Sequence, residues 1–401
     1  MMARTMVLTA VALAALTSAQ AQDYEASDEA RRIARDAIIV DGHVDVPYRV
    51  ARSGEDVGAP TEEGDFDVER ARAGGLDVPF MSIYVAAEYQ ETGGAKAQAD
   101  RLIGLIEGLV AMHPDDFVIA KSVGDVRAAK RAGKIALPLG MENGAPIEGD
   151  LENLRHFYDR GIRYVTLTHS KVNHLSDSSY DEERRWGGLS PFGRLAVAKM
   201  NDLGVMVDIS HLSDDAANDV LDITRAPVIA SHSSARALTP GFERNMSDEM
   251  IRRLAENGGV IMINFGSSFL ANDWGEWRDA AQAAYAEHLE AEGIEDTEEA
   301  MDAFAERYEE TRPRPFATLD DVLDHVGHVT DLVGVEHVGL GSDYDGVGDS
   351  LPTGLKDVSA YPNLIEGLLQ RGYTEDEVVL ILGENALRVW ADAERAARPG
   401  R

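Results

Sequence analysis

Short apolar, β-branched runs alternate along this chain with stretches of helical periodicity. The strand-like runs are Ala37–Val40, Phe80–Val85, Ile135–Leu139, Tyr164–Leu167, Val205–Ile209, Val228–Ala230, Val260–Phe265 and His337–Leu340. Between them, Leu102, Ile103, Leu105, Ile106, Leu109 and Val110 keep one helical face apolar. Leu151, Leu154 and Tyr158 do the same ahead of Gly161, a helix stop. Leu195, Val197 and Met200 lead to Gly204, and Met250, Ile251 and Leu254 lead to Gly258. The tail from Glu375 to Glu394 reads as helix, with Val378, Val379, Ile381, Leu382 and Leu387 on its apolar side. Eight strands with intervening helices predict an α/β fold with a parallel sheet, and eight is the number that closes a (β/α)8 TIM barrel.

Two segments exceed that repeat and are expected as rim insertions. Arg52 to Gly75 reads as a charged loop after the first strand. Residues 272–331 form a long acidic excursion before the last strand, carrying Trp274, Trp277, Tyr285 and Tyr308 and broken at Arg312-Pro313-Arg314-Pro315. Aromatics at that density imply helices packed on the barrel rim. No internal repeat or low-complexity linker divides the chain, so residues 22–401 are expected to form a single domain.

Composition narrows the function classes. At 44% hydrophobic and 27% charged, the 401 residues are ordinary for a globular protein. The formal net charge of −33 argues against nucleic acid, which needs a basic footprint, and against anionic lipid. There are no cysteines, so disulfides and zinc–thiolate sites are excluded and any transition metal must rest on His, Asp or Glu. Arg4, the apolar run Met6 to Leu16 and Ala19-Gln20-Ala21 read as a signal peptide over residues 1–21, cleaved near Ala21/Gln22. The mature protein is then expected to be periplasmic or secreted, with no membrane span.

The chemistry gathers at strand ends, where barrels of this kind build active sites. His43 and Asp45 follow the first strand two residues apart, a spacing that aims both at one face. By itself this pair is also satisfied by a buried His–Asp hydrogen bond. Glu142 follows the third strand, His211 the fifth and His232 the sixth. A carboxylate can bridge two cations. With Glu142 as bridge, His43, Asp45 and Glu142 serve one ion, and Glu142, His211 and His232 the other. Three protein ligands with an open position is the pattern of catalytic metal sites. Imidazole with carboxylate suits Zn²⁺ best and accommodates Mn²⁺ or Fe²⁺. Two such ions about 3.5–4 Å apart would share a hydroxide.

These positions, with Gly187-Gly188-Leu189-Ser190-Pro191-Phe192-Gly193, Ser231-His232-Ser233-Ser234-Ala235, Arg244-Asn245, Gly341-Ser342-Asp343-Tyr344-Asp345-Gly346 and Asn385-Ala386-Leu387-Arg388-Val389, carry a resemblance. From about Ala37 to Trp390 the chain resembles the membrane (renal) dipeptidase family, peptidase family M19, of the metal-dependent, amidohydrolase-like barrels, and looks like a bacterial member. The resemblance implies that the dinuclear zinc ligands are His43, Asp45, Glu142, His211 and His232. It places the family's substrate-binding His at His169, its substrate-carboxylate Arg at Arg244 and its strand-eight Asp at Asp343. Local chemistry agrees: His169 could donate to an oxyanion, Arg244 could hold a carboxylate, and Asp343 could move a proton. Asp345, two residues on, is expected in a loop. The absence of cysteines and the length of the 272–331 insertion depart from the vertebrate enzymes.

The expected function is a zinc-dependent dipeptidase with two Zn²⁺ per chain bridged by Glu142 and a hydroxide that attacks the peptide carbonyl. Its catalytic residues would be Asp343, His169 and Glu142, and its substrate-binding residues His169, Arg244 and Asp343. Its substrates would be small dipeptides, including those with a C-terminal D-residue, and a homodimer is compatible with the resemblance. The alternatives are a barrel metallohydrolase acting on lactams, lactones or other small amides, and a metal-retaining binding protein without turnover.

Overall fold

A computed structural model describes residues 24–398; residues 1–21, expected above to be a signal peptide, and the expected cleavage site lie outside the described residues. The described residues form ten strands: β1 (Ile39–Val44), β2 (Leu76–Tyr84), β3 (Phe117–Ile119), β4 (Ile135–Leu137), β5 (Leu139–Glu142), β6 (Ile162–Thr166), β7 (Met206–Asp208), β8 (Ile229–Ala230), β9 (Val260–Ile263) and β10 (Val338–Leu340). Eight of them close a parallel barrel in the order β1-β10-β9-β8-β7-β6-β5-β2, with helices between strands. This is the (β/α)8 barrel expected from the alternation.

The third strand departs from the sequence reading. The apolar run 135–139 is split at Pro138, which has no N–H to donate to a ladder. Ile135–Leu137 pairs with Phe117–Ile119 in a separate two-stranded sheet, and the barrel strand is Leu139–Glu142. Glu142 is therefore the last residue of its strand. The 52–75 stretch is not all loop either: Val68–Gly74 is a helix, capped by the Asp67 carboxylate at the Arg70 amide. Leu195, read as part of an apolar face, is 57% exposed, while Ala196, Val197 and Met200 face the core.

Alternation along the strands separates two packed surfaces. Val40, Val78, Phe80, Tyr164, Met206, Ile229 and Met262 form one apolar cluster, which Trp390 of the C-terminal helix joins at 5.3 Å from the Phe80 ring. Their neighbours Ile39, Val165, Val207, Ala230 and Ile261 belong to the other cluster, shared with the helices. The first set lines the interior. Its polar continuation at the strand ends is Glu142, Thr166, Asp208, Ser231 and Asn264, all buried. Glycine at 140 makes room for this arrangement, because a Cβ there would lie 2.0 Å from the Tyr164 ring.

The 272–331 stretch divides in two. Asn272–Glu292 and Glu298–Thr311 are helices that stack on each other, through Trp277 on Tyr308 at 5.7 Å and Tyr285 on Phe304 at 5.3 Å. Leu319–Val333 instead packs Leu319, Val322, Leu323, His325, Val326 and Val329 into the core, as a barrel helix does. Among the described residues no helix is long and apolar enough to cross a membrane.

His325 ties that helix to the rim. Its Nδ1 accepts the Ala235 amide at 3.0 Å and its Nε2 donates to the Leu270 carbonyl at 3.1 Å. Burial pushes this imidazole down to about 4. Between pH 4 and the unfolded value near 6.5, the unfolded chain binds the extra proton. Its contribution is therefore complete above about 6.5 and is lost as pH falls towards 4, an effect on the order of 3 kcal/mol. In His325→Gln, the decline of the unfolding midpoint between pH 7 and pH 4 is expected to be shallower than in the parent. Parallel slopes in a calorimetric pH series would contradict this.

Candidate active site

Glu142 stands at the centre of the barrel mouth. Its Oε1 lies 3.1 Å from His211 Nε2, 3.4 Å from His232 Nε2 and 3.5 Å from His169 Nε2. Its Oε2 lies 3.5 Å from His43 Nε2, which in turn is 3.4 Å from Asp45 Oδ2. All five residues expected as ligands thus converge, and His169 and Asp343 join them. The described donor atoms form three overlapping groups: His43, Glu142 and His232; Glu142, His169 and His211; and His43, Asp45 and Asp343. His169 and Asp343 stand close enough to the expected ligands to share in these groups.

Local backbone explains the convergence. β1 carries a register irregularity between Asp41 and Val44, which turns His43 inward. Asp45 is not on the strand, as the two-residue spacing had suggested. It stands at the N-cap position of the helix Val46–Ser53, with φ −88° and ψ 24° and no capping bond from its side chain, and reaches the site from there. At the other strand exits the chain turns through the left-handed region: Asn143, His211, Asp343 and Asp345 have φ between 64° and 78°. Such turns are costly for residues other than glycine and cluster at functional sites. Asp345 is a turn residue, as expected, and accepts the Asp65 amide at 2.7 Å and Arg49 at 3.1 Å.

A set of partners that periodicity alone does not reveal fixes the imidazoles. The Tyr164 hydroxyl donates to the Gly42 carbonyl at 3.1 Å, leaving its lone pair for His43 Nδ1–H at 2.9 Å. Asp208 accepts Thr166 Oγ1 and Ser231 Oγ, so the Ser231 oxygen accepts His232 Nδ1–H at 2.7 Å. In both cases Nε2 is the nitrogen turned towards Glu142. This is the tautomer that a metal-ligating histidine needs.

The electrostatics favour a cation here. Burial, then the charges of Arg244 and His169, holds His211 well below the ordinary imidazole range; burial, then His43 and Arg244, does so for His232. Both are neutral. Burial would raise Glu142, but His43, His169 and the bonds from His211 and His232 outweigh it and keep the carboxylate ionised. His43 is raised against burial by Tyr164, Glu142 and Asp45, a sign of the negative field on its Nε2. Burial, with Asp45 and Glu142 adding and His43 opposing, pushes Asp343 up to about 7. Its Oδ2 accepts Asn264 Nδ2 at 2.8 Å.

The residues fit a metal. His43 Nε2 and Asp45 Oδ1 are buried without a hydrogen-bond partner, and His211 Nε2 faces His232 Nε2 at 2.9 Å. A nitrogen–oxygen donor set of this kind is suited to Zn²⁺, Mn²⁺ or Fe²⁺.

Above the cluster opens a cavity of about 790 Å³, lined among others by Tyr48, Tyr84, His169, Tyr180, Phe269 and Asp343. Arg244 is buried at 3% exposure, its Nη1 donating to Ser233 Oγ at 2.6 Å and its Nη2 to the His232 carbonyl at 2.8 Å. The guanidinium lies 5.2 Å over the Phe269 ring, and its Nε has no partner.

Comparison with known proteins gives a consistent result. Residues 27–401 match the sequence profile of the family described as membrane dipeptidase (peptidase family M19). Dipeptidase aclJ of Aspergillus oryzae is 38% identical over 342 residues, covering 84% of this chain and 71% of the relative. The crystal structure of the probable dipeptidase PvdM from Pseudomonas aeruginosa superposes with a TM-score of 0.80 at 28% identity, covering 92% of this chain and 98% of that one. A metallopeptidase from Rhodobacter sphaeroides, solved with a phosphinate mimic of the dipeptide L-Ala-D-Ala, superposes with a TM-score of 0.73 at 25% identity, covering 89% of this chain and all 100% of that one.

Gly346 tests how tightly the carboxylates are set. A Cβ there would stand 2.2 Å from both Asp343 Oδ1 and Asp45 Oδ2. Gly346→Ala is expected to fold but to bind divalent cation at least about 10-fold more weakly in calorimetric titration, as displaced metal-site carboxylates do. Unchanged affinity would contradict this geometry.

Proposed function

Since this chain belongs to the membrane dipeptidase family, peptidase family M19, we propose that it is a zinc-dependent dipeptidase acting on small dipeptides, including those with a C-terminal D-residue. The observation that carries the reading is the Glu142 carboxylate, ringed by imidazoles from four strand exits and backed by Asp45 and Asp343. His43, Asp45 and Glu142 would hold one ion, and Glu142, His211 and His232 a second. When bound, such ions supply a water of lowered pKa as nucleophile and polarise the carbonyl oxygen.

The protein's own groups do the rest. His169, within reach of Glu142 and edge-on to Tyr84 at 4.8 Å, donates to the carbonyl oxygen as charge develops on it. Asp343, held by Asn264, accepts a proton from the attacking water and returns it to the leaving nitrogen. Positive charge on its neighbours would lower its pKa from about 7 and leave it ready to accept. Arg244, with its Nε free and its plane against Phe269, offers charge to the C-terminal carboxylate. The D-residue reading leans on the ligand of the Rhodobacter sphaeroides relative, a mimic of L-Ala-D-Ala. The leader-like segment ending at Ala21 supports a periplasmic or secreted setting, where such dipeptides arise.

Metal-loaded protein is expected to release free amino acids from a panel of L,L and L,D dipeptides, and to lose this on chelation. Absence of cleavage across the panel in zinc-, manganese- and iron-loaded protein would overturn the reading. Asp343→Asn keeps the shape and removes the basicity. Turnover is expected to fall roughly 10²-fold or more, in line with lost general-base catalysis, with metal content kept. A variant that loses metal would show Asp343 to be a ligand, as its place beside His43 and Asp45 allows.

A further inference from the structure

Arg49 and Asp345 form a largely buried ion pair that the chemistry described above does not use. Arg49 Nη1 donates to Asp345 Oδ1 at 3.1 Å, and the two side chains are 12% and 1% exposed. Each partner stands close along the chain to a residue of the site. Arg49 is one turn into the helix Val46–Ser53, and its amide donates to the Asp45 carbonyl at 3.2 Å. Asp345 lies two residues beyond Asp343, in a turn where the two have φ of 65° and 64°. The pair therefore ties the segment carrying Asp45 to the segment carrying Asp343. The backbones are joined there too: the Asp343 amide donates to the His43 carbonyl at 3.1 Å, and the Asp45 amide to the Tyr344 carbonyl at 2.8 Å.

The charged stretch after β1 closes over this pair. Arg49 Nη1 also donates to the Glu63 carbonyl at 3.0 Å, and Nη2 to the Phe66 carbonyl at 2.6 Å. Phe66 is fully buried and anchors the stretch. Between these two carbonyls, Asp65 exchanges hydrogen bonds with Asp345. The Asp65 amide donates to Asp345 Oδ1 at 2.7 Å, and the Asp345 amide donates to Asp65 Oδ2 at 2.8 Å. Gly64 makes room for the guanidinium: it sits at φ 71°, and a Cβ on it would overlap Arg49 Nη1. All these bonds end on a turn whose left-handed residues persist only when their surroundings fix them. A Cβ on Gly346, next in the turn, would overlap both Asp343 and Asp45, so a small shift of the turn alters the spacing of those carboxylates.

We propose that Arg49 is a positioning residue for the reaction: by gripping Asp345 it sets the Asp343 carboxylate against the Asp45 side of the metal site. Asp345 reaches the wall of the cavity above the cluster, and Arg49 does not line it, so Arg49 acts through the turn and not on the substrate. The inference rests on the proton-transfer role given to Asp343 above and adds the group that aims it.

The test is a double-mutant cycle between Arg49→Met, which keeps the aliphatic stem, and Asp343→Asn. It is measured on zinc-loaded protein with the dipeptide that the parent cleaves best. Arg49→Met is expected to lower kcat about 10- to 100-fold, the scale of a misplacement by about 1 Å, with KM changed less than about 3-fold and metal content kept. In the Asp343→Asn background the same change should cost less than about 3-fold, because the group it aims is gone. Asp65→Ala removes the acceptor of the Asp345 amide and leaves the ion pair. It should show the same pattern more weakly, and it carries the test if Arg49→Met does not fold. An unchanged kcat, losses that multiply in the double variant, or a fall in turnover that follows a loss of metal would each overturn the role of Arg49 while leaving the dipeptidase reading in place. Normal turnover in Asp343→Asn would overturn both the proton-transfer role and this proposal. A parent that cleaves no dipeptide would overturn the proposed function itself, whatever the variants do.

Discussion

One buried carboxylate organises this molecule's chemistry. Glu142 ends its strand inside a closed barrel, where an ionised group without partners would be prohibitively costly. Imidazoles from β1 and from the exits of β6, β7 and β8 surround it within 3.5 Å. His43 and His232 have their Nδ1 sides engaged and turn their Nε2 atoms towards the centre. A set of acceptors facing one another is stable only if positive charge sits among them. The same requirement that makes the cluster expensive as protein makes it selective as a metal site.

The barrel beneath is shaped to hold that cluster still. Gly140 lets Tyr164 lie across the interior, and Tyr164 sets the His43 tautomer. Asp208, fully buried, gathers Thr166, Ser231 and the amides of Ser210 and Ser231, so that Ser231 sets His232. Asp41 plays the matching part under β10, accepting the Ser342 amide, its hydroxyl and Tyr361. The strand exits then bend through left-handed conformations at His211 and Asp343. Backbone strain at these two sites is maintained by the ladders and side-chain bonds on either side.

Much of this was legible in the chain, for a physical reason. Parallel barrel strands are buried on both faces, so they stand out as apolar runs, and the residue after each run is at the barrel mouth. That logic found His43, His211 and His232 without any contact information. It mislocated the third barrel strand, because apolarity does not register that Pro138 breaks a ladder. It brought Asp45 to the right place for the wrong reason, since the strand had already given way to a helix. Arg244 and Tyr180 depend on how irregular loops fold over the mouth, and no periodicity encodes that. Leu195 illustrates the converse: an apolar residue within a helical pattern can still face solvent.

The central claim is that Glu142 is shared between two cations. Anomalous diffraction from crystals of the zinc-loaded protein, collected on both sides of the zinc edge, tests it most directly. The account predicts two peaks flanking the Glu142 carboxylate, about 3.5–4 Å apart as in other two-metal sites, one against His43 and Asp45 and one against His211 and His232. A single peak, or a pair in which Glu142 touches only one ion, would contradict it.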